Sequence, residues 1–457
     1  MLGQRPRGVV HDCRWVTRTT TRSPRCHGVH QYSKTDNGDV IVVGAGVVGL
    51  FIASRLLQRG YTVVLLESAQ GLCSGATGAG QGYIWQSHRD PLAVGAWKMA
   101  EQSKQEWKEL LSPHVQEEED LYDENGSLLL ATTKQESVAL KERVESLHKH
   151  GGLHAKYLSS YDDIVCVEPS LRDSRIELYA GVVTPSDAQI DGRRAVDVLF
   201  TSCVAHGGER FVSRFGHAVE SLILRDDGRE GQCAHGVVLD NGHTIYADRI
   251  VVAAGAWSGQ MLSTWLGEQG DAWKERIVPR RGHLLVCTIP RTDTTRQLRH
   301  GIMEAKYTHH YSKKGAADEY DVTFTATENA LDGSLLIGSS RELLSSTMKD
   351  SWVQDAQPHV VRDILDRARE FLPQLLDENM NMTIRDVRVG LRPFATHHHA
   401  GPYIGPVRGI GGLFVSSGHE GSGLTLAPAS ADVLMHHLFH DVSIDADIEA
   451  YTQTVYT

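Results

Sequence analysis

Residues 39–67 read DVIVVGAGVVGLFIASRLLQRGYTVVLLE. The run Asp39–Val43 is short, apolar and β-branched, and it stops at glycines, which predicts a buried strand. From Val47 to Arg59 the residues Val48, Ile52 and Leu56 fall on one face. That spacing predicts a helix, with Gly60 where a C-terminal cap belongs. Thr62–Leu66 predicts a second strand, closed by Glu67. Strand, glycine loop, helix, strand and acid make up the first half of a Rossmann unit.

The loop Gly44-Ala45-Gly46-Val47-Val48-Gly49 is a GxGxxG motif. Its first glycine permits a tight turn, its second lets backbone approach a pyrophosphate, and its third lets the helix pack closely on the strand. The helix start then offers N–H groups and the positive end of a dipole to phosphate. Glu67, with Ser68 after it, stands where an acid accepts hydrogen bonds from a ribose 2′-hydroxyl, which favours FAD or NAD over NADP. Alone, such a loop is also compatible with a glycine-rich turn that holds nothing. Strand, helix and acid in the right places argue for a bound dinucleotide.

Bulk properties narrow the classes. The chain has 457 residues, which suits two domains. Its formal net charge is −11, which argues against nucleic acid or an anionic membrane as partner. No uninterrupted apolar run reaches the ~18 residues that would span a bilayer. The seven cysteines are scattered without a CxxC, and the 24 histidines show no HExxH spacing, so neither a disulfide framework nor a metal site is expected. Residues 1–38 are basic and hydroxyl-rich, with Arg5, Arg7, Arg14, Arg18, Arg22, Arg25 and Lys34. That composition is expected of an organellar transit segment, mitochondrial or plastid; a basic tail is the alternative.

Further along, Leu72–Gly82 is a loop of small residues. Pro91–Leu111, Lys134–His150 and Val360–Phe371 predict helices, and Ser127–Thr132 predicts a strand. Ala218–Leu224, Ala234–Leu239 and His243–Tyr246 alternate around the turns Asp227-Gly228 and Asn241-Gly242, predicting a β-meander. Ala247–Ser258 (ADRIVVAAGAWS) follows as a buried strand with a glycine at its carboxyl end, either a close approach to a ligand or a plain turn. Asp321–Ala326 and Ser334–Gly338 predict a hairpin around Asp332-Gly333.

The segment Gly390–Leu434 reads GLRPFATHHHAGPYIGPVRGIGGLFVSSGHEGSGLTLAPASADVL. It resembles the C-terminal signature of the FAD-dependent D-amino-acid oxidase superfamily, the group of glycine oxidase, sarcosine oxidase and D-amino-acid dehydrogenase. Val278–His283 (VPRRGH), Leu335–Glu342 (LLIGSSRE), Glu168-Pro169 and Pro185–Asp191 resemble further motifs of that group, in order. The resemblance covers about residues 39–440. It implies an α/β fold in which a Rossmann-like FAD-binding domain is interleaved with a smaller α+β substrate domain carrying a mixed sheet. The FAD domain would comprise 39–90, 185–278 and 395–457, and the substrate domain 91–184 and 279–394.

The resemblance also implies site residues. Val219 resembles the valine whose backbone meets the adenine. Ala253 and Gly255 resemble the loop facing the adenosine pyrophosphate, and Ala79, Gly80, Gln81 and Gly82 the loop beside the flavin ring. Gly418, His419, Gly421, Gly423 and Leu424 belong to the helix start that faces the pyrimidine edge, where a helix dipole favours negative charge on reduced flavin. Arg392 resembles the arginine that pairs with an amino-acid carboxylate, and its planar fork suits that task; a structural arginine bonding backbone carbonyls is the alternative. No covalent flavin is expected: Gly390–Leu434 has no cysteine and Gly75–Gly82 no histidine.

The expected activity is therefore oxidation of the C–N bond of a small amino acid or secondary amine by hydride transfer to flavin N5. Electrons would leave to oxygen or to a quinone or carrier protein. Two alternatives stand beside it. One is a 2-hydroxy-acid dehydrogenase, which needs a base near the hydroxyl, with His88 or His283 as candidates. The other is a non-catalytic organellar flavoprotein acting as an assembly factor. Trp85 and His88 are candidates to line the cleft, and His397-His398-His399 departs from the family's usual turn.

Overall fold

Val40–Val43 forms β1, Val47–Gln58 forms α1 and Val63–Glu67 forms β2, as the apolar spacing predicts. β1 and β2 are parallel, with Val40 opposite Val63 and Val43 opposite Leu66. Gly60, at φ +86°, ends the helix. Its N–H donates to Leu57 O at 3.0 Å and the Tyr61 N–H to Leu56 O at 3.1 Å, the paired closure of a Schellman turn.

This computed structural model describes residues 37–112, 121–226, 231–290, 297–306, 320–345, 352, 354–396, 401–440 and 443–452. The basic segment through residue 36 and the run His397-His398-His399 lie outside the described residues.

A six-stranded sheet has the order Tyr403–Pro406, Leu413–Ser417, Arg249–Val252, β1, β2, Phe211–Phe215. All its pairs are parallel except the one between Tyr403–Pro406 and Leu413–Ser417. Val40, Val42, Val63 and Leu65 turn to one side, against α1, Gly192–Gly207 and Gly423–Phe439. Ile41, Val43, Val64 and Leu66 turn to the other, against the meander Val219–Asp226, Gln232–Leu239, Thr244–Tyr246 and the helix Ser258–Leu266. Both faces are covered, so the strands read as continuous apolar runs without alternation.

The helix Val94–Leu111 lies in a stretch read as substrate domain, yet it packs on α1 and Gly423–Phe439. Trp107 explains why. Its ring meets Phe51 edge-on with centroids 4.9 Å apart, and its Nε1 donates to Leu424 O at 2.7 Å.

A second, eight-stranded sheet has the order Thr383–Ala395, Ile277–Thr288, Leu335–Leu343, Asp321–Glu328, Gly301–Glu304, Ser127–Ala131, Ala180–Thr184, Lys156–Leu158. It is mixed: Gly301–Glu304 runs parallel to Ser127–Ala131 and the other pairs are antiparallel. The helix Pro358–Phe371 covers one face, packing Val360, Ile364 and Phe371 on Leu285, Phe324 and Ile337. Leu284, Val286 and Leu336 take the opposite face. On that opposite face Gly390 meets the small-residue loop: a Cβ added to Gly390 would lie 2.8 Å from Ala79 Cβ. Only a residue without a side chain lets the sheet come this close to the loop. No helix among the described residues is long and apolar enough to cross a membrane.

Candidate functional site

The glycine loop is as tight as its motif requires. Gly44 holds φ +109°, and a Cβ there would sit 2.4 Å from Ala253 O. A Cβ at Gly49 would sit 1.9 Å from Gly44 O. Gly46 caps α1 without a side chain, and helix geometry leaves the first N–H groups after it without intrahelical acceptors. Val47 N donates to Thr77 Oγ1 at 3.3 Å. Thr77 thus belongs to the phosphate loop's surroundings, a role no motif signals.

Glu67 reaches back to the loop. Its Oε2 accepts from Ala45 N at 2.9 Å, and its Oε1 accepts from Ala69 N at 3.0 Å and from Ser68 Oγ at 3.3 Å. A carboxylate has about four acceptor directions, so capacity for a ribose hydroxyl remains. Ala253 N donates to Val43 O at 2.8 Å, bringing the second strand-end beside the first. Gly255, at φ +55°, follows it, and Ser417 Oγ donates to Gly255 O at 2.9 Å. Val219 opens the meander and packs on the cluster that holds Val43 and Leu66. These residues converge on the carboxyl ends of β1, β2 and Arg249–Val252. A glycine cradle that a Cβ would fill, an open helix start and an acid at the next strand end fit the adenosine diphosphate part of FAD.

The loop Ala79–Gly82 joins the two sheets. Gln81 Nε2 donates to Leu336 O at 2.8 Å, and Gln81 Oε1 accepts from Thr325 Oγ1 at 2.8 Å. Gly82 O accepts from Ile190 N at 2.9 Å. Gly80 lies beside the Leu424 side chain at the start of Gly423–Phe439, and Gly418, at φ +94°, turns the chain into that region. There the His419 ring packs inward, its Nε2 2.9 Å from Ser430 Oγ, and burial pushes its pKa down to about 3. It is a neutral, structural imidazole. Gly421 follows and takes part through its N–H, which donates to the Glu420 carboxylate.

Arg392 stands on the same face as Gly390, one residue pair further along the strand. Its Nη1 donates to Ser340 O at 3.1 Å, and its guanidinium lies over Gly282. The cross-strand partner of Arg392 is Arg280, 3% exposed, whose guanidinium also sits 5.0 Å over the Phe394 ring. Arg280 Nη1 is 3.7 Å from Glu420 Oε1. Burial alone would raise the Glu420 carboxyl. Arg341, Arg392 and Arg280, with the Gly421 N–H, outweigh that and hold it below the usual carboxylate range. Three guanidinium groups therefore gather around the Glu420 carboxylate. The sequence singles out Arg392 and not Arg280, although Arg280 precedes Gly282 by the two residues that place both on one face.

The candidate bases fare differently. His283 sits on the opposite face from Gly282 and is buried towards the covering helix. Its Nδ1 lies 3.1 Å from Ser340 Oγ, and its Nε2 accepts from Gln357 N at 3.3 Å. Burial, then Arg281, Arg392 and His359, push its pKa down to about 4. The alternation of a strand removes it from the face that carries Arg392. His88 is buried near Arg89, Arg143 and Arg341, and burial and those charges hold it well below its ordinary pKa. Trp85 does not line a cleft either: it is fully buried with Leu129, Ala180 and Met303, its ring tilted against Tyr83 with centroids 4.0 Å apart.

Comparison with known proteins places this geometry. The sequence profile of the family described as FAD dependent oxidoreductase matches residues 39–436. Glycine oxidase of Pseudomonas aeruginosa is 28% identical over 402 residues, covering 86% of this chain and 93% of that protein. Among solved structures, glycine oxidase from Bacillus cereus superposes with a TM-score of 0.69 at 21% identity, covering 89% of this chain and 96% of its own. L-Proline dehydrogenase from P. horikoshii superposes with a TM-score of 0.71 at 18% identity, covering 93% and 98%. At those identities the structural likeness speaks for the fold, while the family profile spans nearly all of the described chain. With its glycine cradle, its acid at the end of β2 and its two interleaved sheets, the chain belongs to the family of FAD-dependent oxidoreductases.

Proposed function

We propose that the protein oxidises the C–N bond of a small amino acid or secondary amine, with FAD held non-covalently. The observation that carries this reading is Arg392, a guanidinium on the loop-facing side of the eight-stranded sheet with one N–H on Ser340 O and further donors left for a carboxylate.

Gly44 to Gly49, Glu67, Ala253 and Gly255 would hold the adenosine diphosphate part of FAD, and Ala79–Gly82 with Gly418–Leu424 its flavin part. Bound FAD supplies the acceptor for a hydride from the carbon next to the substrate nitrogen. Arg392 fixes the substrate by its carboxylate, and orientation is the protein's main contribution to the rate. Gln81 pins the loop to the eight-stranded sheet. The imine product hydrolyses in water, and the electrons pass to oxygen or to a quinone or carrier protein. Non-covalent attachment is supported by Cys73, the thiol in the early loop, whose pKa burial pushes up to about 12, so it is not a nucleophile.

The division into a cofactor domain of 39–90, 185–278 and 395–457 and a substrate domain of 91–184 and 279–394 forms part of this reading. Sheet membership supports it, with the packing of Val94–Leu111 and the pairing of Tyr122–Asp123 with Ala188–Ile190 as exceptions. The 2-hydroxy-acid alternative loses support because His283 faces away and His88 resists protonation.

Anaerobic mixing of the purified yellow protein with glycine, sarcosine, D-amino acids, proline and 2-hydroxy acids tests the reading. Flavin bleaching by an amine substrate is expected. Bleaching by none, or by 2-hydroxy acids alone, contradicts it. Admitting air afterwards separates an oxidase from a dehydrogenase by the rate of reoxidation.

A further inference from the structure

The helix Gly192–Gly207 begins against the flavin-side loop. Asp191 caps it, its Oδ1 accepting from Arg193 N and Arg194 N at 3.0 Å each. The other cap oxygen, Oδ2, accepts from Asn329 Nδ2 at 2.8 Å, just after the strand Asp321–Glu328 of the eight-stranded sheet. A Cβ on Gly192 would touch Thr77 O and the Leu424 side chain, each at 3.4 Å, so helix, loop and the start of Gly423–Phe439 meet there. Arg193 comes next. Its Nε donates to Gly78 O at 3.0 Å, and its Nη2 stands 3.9 Å from Asp386 Oδ2, on the strand that carries Arg392. Gly78 itself has no room for a side chain: a Cβ would lie 1.9 Å from Cys73 O. The loop is thus gripped along its length. Thr77 Oγ1 takes the Val47 N–H at the phosphate end, Gln81 bonds Leu336 O and Thr325 at the flavin end, and Arg193 holds the carbonyl between them.

We propose that Arg193 is a positioning residue for the flavin: by holding Gly78 O it fixes where Ala79–Gly82 lies against the ring. It acts through the loop and not by touching substrate. Hydride transfer is sensitive to small displacements of donor and acceptor, so a loop peptide free to turn lowers the rate even when substrate and cofactor both bind. The guanidinium is also suited to link two elements at once. Its Nε serves the loop while its Nη2 faces Asp386, so one side chain ties the flavin-side loop to the strand of the carboxylate anchor. A lysine ammonium on a single stem can replace only one of these contacts. The kinetic part of the inference rests on the amine-oxidation reading above; the cofactor part rests on FAD binding alone.

The test compares FAD-loaded wild type, Arg193→Ala, Arg193→Lys and Arg194→Ala. The Arg193 side chain is 47% exposed, so its removal opens no core cavity and the variant should fold. All four are measured at a temperature where circular dichroism shows them folded. FAD release on dilution is read from the rise of flavin fluorescence. Arg193→Ala should bind FAD about threefold to tenfold more weakly, the loss of one charge-assisted hydrogen bond at a half-exposed site. In anaerobic mixing with the amino acid that bleaches the flavin fastest, its limiting reduction rate should fall about tenfold. Its half-saturating concentration should stay within about twofold, because Arg392 keeps its contacts. Arg193→Lys should recover part of the FAD affinity. Arg194→Ala, which removes the same charge from the same helix turn, should match wild type in both readouts. The proposal is overturned if Arg193→Ala matches wild type in FAD release and limiting rate and loses only unfolding midpoint, or if Arg194→Ala shows the same shifts. If no amine reduces the wild-type flavin, the amine-oxidation reading fails, and FAD release alone decides the role of Arg193.

Discussion

The guanidinium of Arg392 lies directly over Gly282, so closely that a Cβ there would stand 2.4 Å from Arg392 Nη2. The glycine is the floor on which the proposed carboxylate anchor rests. Gly282→Ala should therefore displace the Arg392 fork while leaving FAD bound. The expected result is a substrate KM raised about tenfold or more, with the flavin-to-protein ratio unchanged. Steady-state kinetics beside the visible spectrum checks it.

At the other end of the cofactor the tolerance is smaller. A Cβ at Gly49 would lie 1.9 Å from Gly44 O, which the backbone of a packed strand and helix cannot concede without moving α1. Gly49→Ala should purify colourless or lose most of its FAD, and addition of excess FAD should restore little. A variant that keeps wild-type flavin content would contradict the proposed placement of the pyrophosphate.

Trp107 ties a helix of the stretch read as substrate domain to the flavin side. Its Nε1 donates to Leu424 O at 2.7 Å, and its ring is fully buried against Phe51. Trp107→Ala should cost about 3–5 kcal/mol of stability, and Trp107→Phe about 1 kcal/mol for the lost hydrogen bond. Denaturant midpoints of the two variants against wild type measure both.

Four buried imidazoles, those of His88, His283, His419 and His437, make stability depend on pH. Burial lowers the pKa of His419 to about 3 and those of His283 and His437 to about 4, from an ordinary 6.5. Each binds a proton in the unfolded chain at a pH where the folded protein still refuses it. Their contribution is complete above pH 6.5 and is lost as pH falls through about 4 for His283 and His437 and through about 3 for His419. The slope approaches ~1.4 kcal/mol per pH unit for each group. Unfolding midpoints should drop between pH 6.5 and 4, and His419→Gln should flatten the drop.

What was legible in the sequence followed from local rules. The β1–α1–β2 unit could be read because apolar spacing, glycine position and the closing acid agree. The meander and the hairpin around Asp332-Gly333 could be read because turn residues punctuate alternating strands. Thr77 could not, because a hydroxyl in a small-residue loop carries no pattern and its contact with Val47 spans the fold. His283 was misplaced for a related reason. Strand alternation puts it opposite Gly282, but which face meets the loop is decided by where the covering helix and Gly390 lie. Trp85 was a candidate for the cleft because it follows the flavin-side loop, whereas its partners Leu129, Ala180 and Met303 come from distant strands. Glu420 holds a left-handed backbone, φ +50°, that no residue letter reports.

The anchor itself is open to one direct measurement. FAD-loaded wild type and Arg392→Ala are mixed anaerobically with increasing amounts of the amino acid that bleaches the flavin fastest, and the reduction rate is followed against concentration. Losing a bidentate charge-assisted contact should raise the half-saturating concentration about hundredfold or more, while an amine without a carboxylate reduces both proteins alike. Unchanged half-saturation in Arg392→Ala would mean that the substrate carboxylate binds elsewhere.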